Sequence, residues 1–70
     1  MNAVAQNSWS MPYTLVRRAE EHGYNVLYWH LCRAERNGDI TTVERLERAA
    51  AEGGLLAAQR VCIEMERVAS

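Results

Sequence analysis

The sequence predicts an all-α protein: three or four short helices in antiparallel helical hairpins, completed by dimerisation. Apolar residues recur at three- and four-residue steps, as in Leu27, Leu31 and Ala34, and no segment alternates apolar and polar residues between turn signals. Turn residues divide the chain at Gly23, Asn37-Gly38 and Gly53-Gly54. Dimerisation enters through size. A chain of 70 residues buries only roughly 60% of the surface its unfolded form exposes, and small scaffolds then need a disulfide, a metal or a partner subunit.

Residues 1–9 are small, polar and aperiodic and are expected to form a disordered or loosely attached tail. Residues 10–70 form the single helical domain. The first helix begins near Ser10, with Pro12 tolerated in the first turn because its missing N–H has no intrahelical partner there. Leu15, Val16 and Ala19 supply its apolar stripe, and Gly23 ends or kinks it. The second runs from Tyr24 or Asn25 to Arg36, and Asn37-Gly38 suits the left-handed C-cap that stops it. Thr41 and Glu44 stand at capping-box spacing and open the third, which turns Val43, Leu46, Ala49 and Ala50 inward. Glu44–Arg48 and Arg48–Glu52 are candidate i,i+4 ion pairs on its outer side. After Gly53-Gly54 a fourth runs from Leu55 to about Val68, with Ala57, Ala58, Val61, Met65 and Val68 as a small-residue face that lets another helix approach closely, and Leu56 and Ile63 on a different side.

A shift of thirty residues brings Arg18, Ala19, Gly23 and Cys32 onto Arg48, Ala49, Gly53 and Cys62, which suggests a two-unit repeat over 12–37 and 42–69. An alternative ignores both glycine breaks and gives two long helices, 12–36 and 42–69, folded about Asn37-Gly38.

Eight arginines balance nine acidic residues for a net charge of −1, with no lysine and no phenylalanine; ten alanines complete a composition suggestive of a GC-rich bacterial or phage genome. Near-neutrality argues against the broad basic face of a non-specific nucleic-acid binder and against a membrane-surface helix. No secretory leader is evident and no apolar run approaches membrane-spanning length, so the expected location is cytoplasmic. Cys32 and Cys62 are too few for a disulfide framework, their spacing is not a CxxC, and they are expected as two buried, reduced thiols.

Chemistry-bearing patterns are poor. His30 and Cys32 are two apart and point away from each other on a helix; His22, His30, Cys32 and Cys62 lack the paired spacing of a zinc site. His30 reads as a polar-boundary residue. With no phosphate loop and no nucleophile elbow, the expectation is a non-enzymatic protein without cofactor or metal.

What remains is surface. Tyr24, Leu27, Tyr28, Leu31 and Ala34 form one face of the second helix, while Trp29 falls among Asn25, Arg33 and Arg36 on the opposite side. Arg33, one turn beyond Trp29, is placed to stack on the indole. Trp29, Arg33 and Tyr28 are therefore the candidate partner-binding residues, because tryptophan, tyrosine and arginine dominate binding hot spots. Leu56, Ile63 and Met65 are the candidate dimer interface. The expected function is a protein–protein interaction module acting as a regulator, inhibitor or chaperone-like adaptor, with another protein and its own copies as partners. One alternative is a small helix-turn-helix-type DNA-binding regulator, with Arg17, Arg18, Arg45 and Arg48 on phosphates; the segments after Gly23 and Gly53 are too apolar to favour it. Another is a structural self-assembly subunit.

Overall fold

The computed structural model describes residues 11–69, which form three α-helices and no strand: α1 (Met11–Glu21), α2 (Asn25–Arg36) and α3 (Ile40–Ala69). The expected tail over 1–9 and the helix start at Ser10 lie outside the described residues.

The two interhelical turns share one construction. After α2, Gly38 takes φ 68°, its N–H donates to the Glu35 carbonyl, and the Asp39 N–H donates to the Ala34 carbonyl at 2.8 Å. This paired closure satisfies carbonyls that the helix end leaves open, and it needs a residue that tolerates positive φ. The turn after α1 repeats it around Gly23, with the Tyr24 N–H donating to the Ala19 carbonyl at 2.9 Å. Two unbroken helices over 12–36 and 42–69 are therefore excluded: residues 22–24 leave the helix, and Gly54 lies outside helical geometry.

Asp39 ends one turn and starts the next helix. Its Oδ1 accepts the Thr42 backbone N–H at 3.2 Å, and its Oδ2 accepts the Thr42 hydroxyl at 2.6 Å. The capping residue is thus Asp39 rather than Thr41, which lies inside α3. An aspartate reached directly from the preceding turn meets the open N-terminal amides before either threonine can. The two Thr42 hydrogen bonds hold the Asp39 carboxyl below its usual value. A depressed pKa contributes stability above the ordinary value near 3.8, and that contribution is lost as pH falls through the folded value. Asp39→Ala is therefore expected to lower Tm at pH 7, with the deficit shrinking in acid; thermal melts at pH 7 and pH 3 check it.

α3 is bent by Gly54, whose φ 86° and ψ −177° lie in a region that is essentially glycine-only. Gly53 is tied to the same bend, since a Cβ there would lie 2.7 Å from the Ala57 Cβ. Thr42 and Ala69 line one recess. A straight helix, rising about 1.5 Å per residue, would hold them roughly 40 Å apart, so the bend at Gly54 brings the two ends of α3 to the same recess.

The core is Leu15 and Ala19 of α1, Leu27, Leu31 and Ala34 of α2, and Val43, Leu46, Ala58 and Cys62 of α3. Complete burial of each leucine stabilises the fold by about 1.5–3 kcal/mol. In the second half of α3 the core face runs through Ala58 and Cys62, roughly a quarter turn from the centre of the expected small-residue face, and Val68 is 78% exposed. With no side chain larger than leucine among the described buried residues, alanine and cysteine permit the close approach of α2 and α3. The pairs Glu44–Arg48 and Arg48–Glu52 do not close; bridges formed among the described residues include Arg17–Glu21 at 3.7 Å and Glu64–Arg67 at 3.6 Å, both exposed and of little energetic weight.

Candidate functional site

α2 packs beside the second half of α3 through two polar contacts. Tyr24 precedes α2 and gives it no side-chain cap, so the amide of Leu27 would be open; it donates instead to Gln59 Oε1 at 3.4 Å. One turn on, His30 Nε2 donates to Glu66 Oε2 at 2.9 Å. His30 is only 8% exposed, so the expected polar-boundary residue is an interior one, made tolerable by that carboxylate. Both bonds span more than thirty residues of sequence, and local spacing carries no trace of either.

Helical steps from these contacts fix what borders the seam. On α2, Val26 and Arg33 lie four residues before and three after His30, and Trp29 continues the same side. On α3, Leu56 and Ile63 lie three before and four after Gln59. The outer groove between the helices is thus walled by Val26, Trp29 and Arg33 on one side and by Leu56 and Ile63 on the other. Trp29 is 65% exposed, Leu56 49% and Ile63 42%, while Val26 is half-buried. Met65 stands apart from this wall: half-buried, it lines an open recess of about 390 Å³ with His30, Arg33, Asn37 and Thr42.

Trp29 meets Tyr28 edge to face, with ring centroids 6.3 Å apart and planes at 78°. The expected stack of Arg33 on the indole is not formed among the described residues; Arg33 is exposed and turns toward the recess instead. Tyr28, half-buried, sits on the far flank of α2, where a hydrogen bond with Cys32 and the nearby charge of Glu20 raise its hydroxyl pKa.

That far flank is acidic. Glu35 of α2 faces Glu44 and Glu47 of α3, and burial together with their charges raises the Glu47 carboxyl. Glu47 Oε2 is buried without a hydrogen-bond partner. A raised carboxyl means that the folded state binds more protons than the unfolded one. The cost is therefore absent well below about 4.5 and is fully present above the raised value. Glu47→Gln is expected to stabilise the fold at pH 7 by a few tenths to about 1 kcal/mol, discounted for its partial exposure, and to have no effect near pH 3. Urea titrations at the two pH values check this.

The cysteines are free. Cys62 is buried as expected, and burial, with the Glu66 charge second, pushes its thiol up to about 11, so it stays protonated at neutral pH. Cys32 is half-buried rather than buried, on the flank that also carries Tyr28. Among the described residues no group of three His, Cys, Asp or Glu side chains is placed to hold a metal ion, and no helix is long and apolar enough to cross a membrane. Arg17, Arg18, Arg45 and Arg48 are exposed.

The described residues thus form a small helical protein whose outward features are an aromatic, arginine-edged groove and an acidic flank. No family model, no curated protein and no solved structure matches the chain.

Proposed function

We propose that this chain is a non-enzymatic protein–protein interaction module, a regulator, inhibitor or chaperone-like adaptor, that engages its partner through the outer groove of α2 and α3. The observation that carries the reading is Trp29. A side chain of this size left 65% exposed, on the face of α2 turned from the core, contributes little to the fold. It shares the outer side of α2 with Arg33, and helical steps put Leu56 and Ile63 on the outer side of α3 across the seam, the make-up of an interface centre, where aromatic and arginine anchors carry most of the binding energy. Tyr28 braces the indole from the side and is a supporting contact rather than a second anchor.

The test is paired capture from the native host, with wild-type chain and Trp29→Ala as baits and both bound protein and bound nucleic acid identified. A protein retained by the wild type and lost by the variant supports the module. Nucleic acid as the retained species, or a protein retained equally by both baits, refutes it.

A further inference from the structure

The two flanks of α2 differ in character, and the difference points to what covers the groove. The groove side offers Trp29, Leu56 and Ile63 with the carbon stems of Arg33 and Arg60, on the order of 400–500 Å² of apolar surface. That is about the apolar share of the ~800 Å² that each side of a standard interface buries. Its free charges are positive: among the described residues neither Arg33 nor Arg60 has an ion-pair partner, whereas the Glu66 carboxylate in the seam is engaged by His30. The opposite flank is negative on balance, with the exposed Arg48, one turn beyond Glu44, as the smaller positive contribution. Glu20, Glu35 and Glu44 are exposed and likewise lack ion-pair partners among the described residues, and Glu47 beside them keeps a buried oxygen without a donor. On α2 itself, Arg33 and Glu35 mark these two sides, two residues and roughly 200° apart.

Two copies joined groove to groove would bring arginine edges together, a like-charge arrangement that interfaces avoid. Groove against acidic flank instead pairs arginine with carboxylate around a buried tryptophan and gives Glu47 a donor. We infer that the groove's occupant is a second copy of this chain, added head to tail, so that the acidic flank of one copy covers the Trp29 groove of the next. This rests on the interaction reading above and names its partner. Because the two surfaces are different, the contact is heterologous and propagates into a ring or an open string of copies.

Sedimentation of the full chain tests it, with two variants altered only at exposed positions: a groove variant, Arg33→Glu with Arg60→Glu, and a flank variant, Glu35→Arg with Glu44→Arg. The wild type is expected to form species above twice the 8.0 kDa protomer mass, weakening with added salt. Each variant alone, its helicity verified by circular dichroism, is expected to lose association at least tenfold. Mixed one to one, they are expected to restore association, since the intact groove of the flank variant meets the intact flank of the groove variant and the two reversed surfaces are again opposite in charge. A flank variant that still dimerises as the wild type does would show a groove-to-groove contact and overturn the inference. A wild type that stays monomeric at hundreds of micromolar overturns it as well. That outcome leaves the Trp29-dependent capture of a foreign protein standing on its own test.

Discussion

Leu27→Ala is expected to cost about 3 kcal/mol and to leave little folded protein at 37 °C. Leu27 is fully buried, in contact with the cluster formed by Leu15, Leu31, Leu46, Ala58 and Cys62. Large-to-small changes at such sites cost about 2–5 kcal/mol, the spread depending on how far the surroundings collapse into the space. Collapse is restricted here, because the Leu27 amide is fixed to Gln59 and His30, one turn on, is fixed to Glu66. A small domain has only about 5 kcal/mol or so to lose. Urea unfolding followed by circular dichroism at 222 nm measures the loss; a cost under about 1 kcal/mol would show that Leu27 does not anchor the core.

The fold was legible where local chemistry decides it. Helix ends at Gly23 and Asn37-Gly38 follow from backbone conformations that few other residues adopt, and the glycine pair at 53–54 marks the bend in α3 for the same reason. The apolar face of α2 was legible because leucine and alanine at three- and four-residue steps admit one inward direction. The inward direction of the last helical segment was not. Alanine, valine, methionine and cysteine occur around much of its circumference, so periodicity alone does not separate Ala58 and Cys62 from Ala57 and Val68. What fixes the rotation is the pair of cross-links to α2, and those depend on tertiary contact.

The start of α3 shows a different limit. Asp39, Thr41 and Thr42 are all good capping residues, and the sequence alone does not rank them. The preceding turn does, by delivering Asp39 to the helix end. At the candidate site, the exposure of Trp29 follows from its angle on α2, whereas Leu56 and Ile63 come to the same outer side only because Gln59 and Glu66 bring the second half of α3 alongside α2. The expected Arg33 stack fails for a related reason. Its charged head has the recess beside Asn37, Thr42 and Glu66 within reach, and a solvated polar setting competes well with an exposed indole face.

Trp29→Ala is the counterpart of Leu27→Ala, two residues away on the same helix and expected to act in the opposite sense. Tryptophan truncation in a core costs about 3–5 kcal/mol. At 65% exposure most of the indole already faces solvent, and the change is expected to shift protomer stability by no more than about 0.5 kcal/mol, chiefly through the edge contact with Tyr28. At the centre of an interface the same truncation costs at least about 2 kcal/mol, a thirtyfold or greater loss of affinity. Because association adds to apparent stability by mass action, melting is to be recorded across a hundredfold range of protein concentration. The wild type is expected to melt higher as concentration rises, and Trp29→Ala to melt at one temperature throughout, equal to the wild type's dilute limit. Unfolding of the variant at every concentration would place Trp29 among the residues that hold the fold together, and the groove would lose its anchor.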